Sequence, residues 1–257
     1  MAYTAIEFNV EEGVGVLRLN RPEALNSFTK QMHQEIRDVL SQLDTQPSVR
    51  CLLITGTGRG FCAGQDLKDL GDQSVSGVIE RDYNPLITCL MDLEIPTVCA
   101  VNGIAAGAGA SLAMACDIVY AARSSSFMLA FSKIGLIPDS GATWNLLRAI
   151  GLPRAKALAM LAEKLPAEQA QSWGLIWKCV DDEVLMDETT SVAKYLAKQP
   201  TKALARIKQV LHVSSAPLLE SQLEIELSGM QELEQTHDFQ EGVAAFVEKR
   251  SPEFKGE

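Results

Sequence analysis

The sequence predicts an α/β fold in which short buried strands alternate with helices, followed by a helical C-terminal part. Two apolar runs, CLLITG (51–56) and TVCAVN (97–102), have the length and composition of strands that are buried on both faces. A helix-like segment follows each run, as in a repeated strand–loop–helix unit. From about residue 141 strand-like runs become rare and helical patterns dominate. We therefore predict an α/β core over residues 1–195 and a helical region over residues 196–257, with no low-complexity linker between them.

The first elements can be assigned in order along the chain. YTAIEFNV and VGVLRLN are typical of two strands joined by a turn at residues 11–13. In TKQMHQEIRDVLSQLD (29–44) apolar residues recur at helical spacing, which predicts a helix with His33 on its charged, solvated face. IVYAA (118–122) and SFMLAF (126–131) are further strand candidates.

The composition is that of an ordinary soluble protein and excludes several function classes. The net charge of −10 argues against a broad nucleic-acid surface, which needs a basic face. The sequence contains no run of about 18 apolar residues, so we expect no membrane span, and the N-terminus lacks the pattern of a signal peptide. The six cysteines are scattered without a CxxC pair, and the three histidines are far apart. We therefore expect a cytoplasmic protein with reduced thiols, no metal site and no Ser-His-Asp triad.

Two loops rich in glycine and alanine follow the buried strands and are candidates for chemistry. The first, GTGRGFCAGQDL (56–67), has Phe61 where a dinucleotide-binding GxGxxG motif needs its third glycine, so a Rossmann site is weakly supported. The second, GIAAGAGAS (103–111), leads into an apolar helix. Two such loops could direct backbone N–H groups at one point and form an oxyanion hole. Alternatively, the glycines serve only close packing of helix against strand.

Asp139, in GLIPDSGATW (135–144), allows two interpretations. It can be the N-cap of a helix that begins near Gly141, its carboxylate accepting hydrogen bonds from the first turn. It can also be a general acid/base in an apolar pocket formed by Leu136 and Ile137, where burial would raise its pKa. Asp66, at the end of the first loop, is better explained as a helix cap than as a catalytic residue.

Several of these stretches are similar to one superfamily, the crotonase (enoyl-CoA hydratase/isomerase) superfamily: FCAGQDL, VNGIAAGAGASLAMACDIVYAARSSSF, GLIPDSGATW and FQEGVAAFVEKRSPEF. The resemblance begins at NRPEALNSF and extends to the end of the chain. It implies a spiral of ββα units with a C-terminal helical region that forms trimers, often paired into hexamers. It also implies a CoA thioester substrate, with the CoA belonging to the substrate and no separate cofactor.

The resemblance also implies roles for individual residues. The thioester oxygen would lie between the backbone N–H groups of Gln65 and Ala108, with Gly109 adjacent. The residues expected to hold CoA are Glu23, Ala24, Leu25, Ala63, Asp66, Leu67, Lys68 and, reaching a phosphate on a neighbouring protomer, Lys249. The expected acyl pocket consists of Ser111, Phe131, Leu136 and Ile137.

The departures from the family pattern decide between its reactions. Family hydratases use two glutamates to handle water, and this sequence has Ser111 and Phe131 at those places. Adding water to a double bond needs an acid and a base near it, so a hydratase is hard to support. Asp139 remains, where isomerase branches of the family place their acid, and one carboxylate suits a proton shuttle.

We therefore expect an isomerase of CoA thioesters, with Asp139 as acid/base and an apolar pocket suited to aromatic or cyclic acyl groups. A second activity, the shift of a double bond in an unsaturated acyl chain, is compatible with the same residues. The alternatives are a hydratase or another acyl-CoA enzyme of this fold, and a crotonase-like scaffold that binds partners or RNA without catalysis.

Overall fold

The computed structural model describes residues 3–43, 47–71, 73–215 and 217–257. Ten strands and eleven α-helices are found in these ranges. The strands are β1 (Ile6–Glu11), β2 (Val14–Leu19), β3 (Cys51–Gly56), β4 (Gly60–Cys62), β5 (Thr97–Val101), β6 (Ile104–Ala106), β7 (Ile118–Ala122), β8 (Ser126–Met128), β9 (Leu165–Pro166) and β10 (Lys178–Val180). The helices are α1 (Lys30–Leu43), α2 (Leu67–Leu70), α3 (Val75–Val78), α4 (Asn84–Asp92), α5 (Ala108–Met114), α6 (Ala142–Leu161), α7 (Ala167–Trp173), α8 (Leu185–Ala197), α9 (Thr201–Val213), α10 (Leu219–Leu233) and α11 (His237–Glu248).

The larger sheet has six strands in the order β1-β2-β3-β5-β7-β10. The first two pair antiparallel, which confirms the predicted hairpin, and the other pairs are parallel. Successive residues of β3 enter two different cores: Cys51 and Leu53 pack towards α8, whereas Leu52 and Ile54 pack on the opposite face. A strand buried on both faces needs a continuous apolar run, so the run CLLITG correctly predicted the buried strand β3.

The smaller sheet, β4-β6-β8-β9, lies inside stretches that the sequence analysis treated mainly as loops. Strands β4, β6 and β8 run parallel to one another. Their carboxyl ends therefore meet at one edge, where ligands commonly bind in α/β sheets. Each strand has three residues. β8 lies in the predicted strand SFMLAF, whereas β4 and β6, which lie in the two Gly-rich stretches, carry too little periodicity to be recognised from the sequence.

The region after residue 141 is mostly helical but still contributes to both sheets. β9 closes the smaller sheet and β10 pairs with β7 at the edge of the larger one. Helix α8 packs on the larger sheet, and the following helices α9, α10 and α11 form the C-terminal part. Several polar contacts link this part to the core; for example, Lys208 on α9 pairs with Asp117 at 3.1 Å, and Arg50 donates to the Phe254 carbonyl at 2.9 Å.

Helix α1 corrects one detail of the sequence analysis. The helix is described to Leu43, and Asp44, where the prediction ended, lies outside the described residues. The expectation that His33 is solvated is wrong, because its side chain is 1% exposed. The imidazole stacks on Phe28 and meets the Tyr83 ring edge-on. His33 lies on a face of α1 that packs against the segment before α4, and the charged residues near it in the sequence made this face look exposed.

Candidate active site

A cavity of about 250 Å³ opens at the carboxyl edge of the smaller sheet. The chain leaving β4 supplies its first wall, the start of α5 its second, and the segment from 130 to 139 after β8 its third. Its lining is mainly apolar and comprises Ala63, Gly64, Gln65, Leu67, Leu70, Val75, Val78, Ile79, Tyr83, Gly107, Ala108, Ala130, Phe131, Lys133, Ile134, Leu136 and Asp139.

Asp139 is the acid of this lining, and its backbone is held firmly. Its carbonyl accepts a hydrogen bond from the Ser111 hydroxyl at 3.1 Å and another from the Ala142 N–H at 3.0 Å. The carboxylate accepts a hydrogen bond from the Ser140 hydroxyl at 2.8 Å. Burial raises the pKa of Asp139, and the Ser140 hydrogen bond only partly opposes this effect.

The suggestion that the Asp139 side chain caps a helix is wrong. The residue at the start of α6 is Gly141, and no side chain accepts a hydrogen bond there. Ser140 and Gly141 have positive φ angles of 53° and 75°, so the chain turns sharply between Asp139 and the helix. A left-handed conformation at a serine costs roughly 1 kcal/mol or more. The turn directs the carboxylate into the cavity instead of towards the first helical N–H groups.

The two Gly-rich segments meet beside Asp139. A Cβ added to Gly64 would lie 3.3 Å from the Ala108 nitrogen, so the backbones are in contact. Ala108 is the first residue of α5, and its N–H therefore has no acceptor within the helix. Gln65 forms an isolated parallel bridge with Phe28, in which the neighbours of Gln65 make the hydrogen bonds. The Gln65 N–H is therefore directed away from Phe28.

Gly109, expected next to this pair, is not part of the cavity lining. A Cβ at this position would lie 2.3 Å from the Cys62 carbonyl oxygen, so the glycine allows α5 to approach β4. The packing explanation of the glycines is thus correct for this position, while Gln65 and Ala108 face the cavity.

The residues expected to hold CoA lie around the first loop, with one exception. A 3₁₀ turn over Pro22–Ala24 contains Glu23 and leads to Leu25, whose carbonyl accepts the Ala63 N–H at 2.9 Å. Leu67 lines the cavity and is exposed, and Lys68 is exposed beside it. Lys249 ends α11 as an exposed residue and does not line the cavity.

Asp66 is a structural residue of this loop, as the sequence suggested. Its carboxylate caps α2 by accepting the Lys68 N–H at 3.1 Å, and it pairs with Arg21 at 3.0 Å. Burial acts to raise its pKa, but the hydrogen bonds from Arg21 and Lys68 outweigh burial and lower it.

Two of the four expected acyl-pocket residues line the cavity, namely Phe131 and Leu136. Ile137 does not, since its side chain is 81% exposed. Ser111 is fully buried behind the wall, where its hydroxyl donates to the Gly107 and Asp139 carbonyls. Ile137 and Ser111 were assigned by their place in the motif. The motif determines neither the direction of a side chain in the irregular segment around Ile137 nor which face of α5 turns towards the cavity.

Sequence reasoning missed two polar residues of the cavity, Tyr83 and Lys133. Tyr83 donates its hydroxyl proton to Gln65 Oε1 at 2.8 Å and lies at the end of a five-residue π-helical turn, Ile79–Tyr83. Such turns interrupt α-helices and are frequent at functional sites. Lys133 is exposed in the 3₁₀ turn Ala130–Ile134. Neither residue belongs to a motif, so the sequence held no signal for them.

Comparison with known proteins relates this cavity to acyl-thioester chemistry. A model of the enoyl-CoA hydratase/isomerase family matches residues 9–257. The chain is 50% identical over 254 residues to the 1,2-epoxyphenylacetyl-CoA isomerase of Escherichia coli (strain K12), covering 96% of this chain and 97% of that protein. It is 35% identical over 263 residues to a trans-2-decenoyl-(acyl-carrier-protein) isomerase of Streptococcus mutans, covering 100% of both.

The fold comparison agrees with the sequence comparison. A crystal structure of an enoyl-CoA hydratase from Bacillus anthracis matches with a TM-score of 0.94 at 30% identity. The match covers 99% of this chain and 100% of that one.

Proposed function

Because this chain belongs to the enoyl-CoA hydratase/isomerase (crotonase) family, we propose that it converts ring 1,2-epoxyphenylacetyl-CoA to oxepin-CoA. Family membership and the isomerase relative establish an acyl-CoA isomerase of the crotonase fold, and the alternative of a non-catalytic scaffold is not retained. The further step to an aromatic ring epoxide rests on the relative of 50% identity and on the apolar lining of the cavity.

The observation that carries the proposal is a single carboxylate in a mainly apolar cavity. Asp139 faces the substrate space, while Ser111 and Phe131 stand where, by the family resemblance, hydratases have their two water-handling glutamates. Ser111 holds the Asp139 backbone and Phe131 forms part of the wall. A site with one proton-transferring group and no second acid to activate water favours moving a proton within the substrate.

We assign the chemical roles as follows. The N–H groups of Gln65 and Ala108 hold the thioester oxygen and stabilise the negative charge that develops on it. Asp139 removes a proton from the carbon next to the thioester and returns it elsewhere on the same molecule. A pKa raised by burial makes its carboxylate a stronger base for that first step.

The same roles account for a second reaction, the shift of a 3,4 double bond to the 2,3 position. Asp139 takes a proton from C2, the electron pair moves through the enolate, and the proton returns to C4. Substrate and product have the same atoms, so no co-reactant is needed. We propose that CoA enters only as part of the substrate and that Glu23, Ala24, Leu25, Ala63, Asp66, Leu67 and Lys68 surround it.

We also propose that the active form is a homotrimer, or two trimers in a hexamer, built through residues 196–257. Large apolar side chains on α10 and α11 face solvent in the single chain, and Phe246 is 85% exposed. Exposed apolar patches of this kind mark interaction surfaces. Lys249 follows α11 and would reach the phosphate of CoA bound to a neighbour. Light scattering of the purified protein tests this assembly, and a monomer at micromolar concentration would contradict it.

The proposed setting is the cytoplasm. None of the six cysteines forms a disulfide, which fits a reducing compartment. No helix of the described ranges is long and apolar enough to cross a membrane.

The direct test is mass spectrometry of the products formed from ring 1,2-epoxyphenylacetyl-CoA and from a 3,4-unsaturated acyl-CoA. In H₂O we expect products of unchanged mass with new retention times, because the proton that Asp139 removes is returned to the same molecule. A product heavier by one water from a 2,3-unsaturated acyl-CoA, formed with a typical kcat of about 1–10³ s⁻¹, would favour a hydratase instead.

A further inference from the structure

We propose that Tyr83 is a positioning residue for the isomerase reaction, acting through the Gln65 side chain to hold the Gln65 backbone N–H towards the cavity. The inference rests on the proposed function, because it assigns that N–H to the thioester oxygen. It concerns a tyrosine in a π-helical turn that no sequence motif singled out, and the side chain of Gln65, a residue whose backbone alone was assigned a role from the sequence.

The Gln65 carboxamide is bound at both ends. Its oxygen accepts from the Tyr83 hydroxyl at 2.8 Å, and its nitrogen donates to the Phe28 carbonyl at 3.3 Å and the Asp66 carbonyl at 3.2 Å. The two carbonyls can only accept, so the amide nitrogen must face them and the amide oxygen must face Tyr83. This arrangement fixes the rotation of the side chain and, with it, the orientation of Gln65 in the loop.

Phe28 binds the loop on both sides of Gln65. Its N–H donates to the Gly64 carbonyl at 2.7 Å, and its carbonyl accepts the Asp66 N–H at 2.9 Å. The loop is thus pinned on both sides of Gln65, while the Gln65 N–H is left free of Phe28. The Phe28 ring also packs against the Tyr83 ring, with centroids 5.4 Å apart. Phe28 therefore sets the distance between Tyr83 and the loop that Tyr83 orients.

Tyr83 itself has little freedom to move. It is 3% exposed and is held between Phe28 and the edge-on ring of His33, whose centroid lies 4.4 Å away. Burial, with the nearby charge of Asp139, raises the pKa of Tyr83 far above the working range of an enzyme. The phenol therefore stays protonated, and its hydroxyl remains a hydrogen-bond donor to Gln65 at every relevant pH.

Removing the Tyr83 hydroxyl should loosen this arrangement without removing a substrate-binding group. The Gln65 oxygen would lose its donor, and the side chain could rotate away from the Phe28 and Asp66 carbonyls. The Gln65 N–H would then sample directions in which it no longer meets the thioester oxygen. Because negative charge on that oxygen is greatest in the transition state, the loss should appear in kcat more than in KM.

The experiment compares Tyr83→Phe, Gln65→Met and the double variant with the unaltered protein. Tyr120→Phe is the matched control, since Tyr120 is a buried tyrosine of the larger sheet outside the cavity lining. The kinetic readout is kcat and KM for a 3,4-unsaturated acyl-CoA. The spectroscopic readout is the infrared carbonyl stretch of bound phenylacetyl-CoA labelled with ¹³C at the thioester, which carries no epoxide and reports hydrogen bonding to that oxygen.

We expect kcat to fall about tenfold in Tyr83→Phe, less than the ~10²–10³-fold loss that follows removal of an oxyanion-hole donor. KM should change little, and the carbonyl stretch should move back towards its value in water. Gln65→Met should give similar changes, and the double variant should be no worse than the more impaired single variant, because the residues act as one unit. Tyr120→Phe should match the unaltered protein in every readout.

The inference would be overturned by an unchanged carbonyl stretch and kcat in Tyr83→Phe, or by additive effects of the two substitutions. A fall in kcat accompanied by an equal loss in Tyr120→Phe would also contradict it, since any buried tyrosine hydroxyl would then matter. Failure of the proposed function is distinguishable, because the unaltered protein would then isomerise no CoA thioester. The carbonyl stretch of the bound thioester would still measure whether Tyr83 orients the loop.

Discussion

Two aspartates occupy similar places in this molecule and have opposite surroundings. Asp66 and Asp139 each stand in a loop that follows a strand of the smaller sheet region and precedes a helix. Asp66 is paired with Arg21 and caps α2. Among the described residues, the Asp139 carboxylate is hydrogen-bonded only by the Ser140 hydroxyl, and it caps no helix there.

The partners decide the chemistry of the two carboxylates. Burial acts to raise the pKa of both, but in Asp66 the hydrogen bonds from Arg21 and Lys68 outweigh it and lower the pKa. In Asp139 burial prevails, so its pKa is raised. A carboxylate whose lone pairs are occupied stabilises the fold, whereas one left with unused lone pairs in a cavity can accept a proton from substrate.

The largest expected effect comes from Asp139→Asn. We expect kcat to fall by roughly 10²–10⁴-fold, because the amide cannot take up the proton that the reaction moves. The melting temperature should stay close to that of the unaltered protein, since the Asp139 side chain makes no helix cap and its carbonyl still binds Ser111 and Ala142. Turnover assays combined with calorimetry check both expectations, and near-full activity would remove Asp139 from the mechanism.

The contrast between the two aspartates was only partly accessible from the sequence. The cap at Asp66 and the cavity position of Asp139 were both predicted, the second because the motif around residues 135–144 and the missing glutamates pointed to it. The capping role also considered for Asp139 could not be tested by pattern, since it depends on positive φ angles at Ser140 and Gly141. A serine rarely adopts that conformation, and nothing in its neighbours indicates it.

The fold was more predictable than the details of the site. Strands buried on both faces, such as β3 and β5, carry a continuous apolar signal, whereas the three-residue strands β4 and β6 of the smaller sheet do not. Tyr83 reaches the cavity through a π-helical turn, and Ile137 points to solvent from an irregular segment. Side-chain direction in such segments is set by tertiary packing, which a periodicity of 2 or 3.6 residues cannot express.

His33 extends the comparison to a buried base without a partner. Both ring nitrogens lack a hydrogen-bond partner in the part of the chain that the structure describes. Burial lowers the pKa of His33 from 6.5 to about 4, although Asp82 opposes the shift. The unfolded chain therefore binds a proton more readily than the folded chain between these values. The contribution of His33 to the free energy of unfolding is complete above pH 6.5. It falls as the pH drops towards 4, by about 3 kcal/mol in all.

The measurement is the free energy of unfolding against pH for the unaltered protein and for His33→Phe. Phenylalanine cannot titrate, so the variant should lose less stability between pH 6.5 and 4. Carboxylate titration is common to both proteins and cancels in the difference. Parallel curves would mean that His33 is already charged or exposed in the folded state.

Asp66→Ala should have a smaller effect than Asp139→Asn, and the effect should be on stability instead of turnover. Removing the cap and the partly exposed ion pair with Arg21 should cost about 1–2 kcal/mol of stability. The effect on kcat should be far smaller than that of Asp139→Asn. Asp66→Asn keeps a capping oxygen and should recover part of the stability in urea denaturation. If both variants are as stable as the unaltered protein, the contacts of Asp66 contribute nothing and the comparison fails at that residue.

The smallest effect should be the pH dependence that Asp139 gives to stability, and its sign is opposite to that of Asp66. A raised folded pKa means that the folded chain binds the Asp139 proton more tightly than the unfolded chain, whose pKa is near the ordinary value of 3.8. The resulting stabilisation is complete below that value and is lost as the pH rises through the folded pKa. For Asp66, the lowered pKa gives stability that is present above the ordinary value and lost as the pH falls.

Unfolding free energies of the unaltered protein and of Asp139→Asn, measured from pH 3 upward, test this sign. The unaltered protein should lose stability relative to the variant as the pH rises, because only its side chain becomes a buried, unpaired charge. The difference between the unaltered protein and Asp66→Ala should change in the opposite direction over the same range. A common sign for both would mean that the Asp139 carboxylate has a further charged or hydrogen-bonding partner in solution besides Ser140, and such a partner would weaken it as the proton acceptor of the reaction.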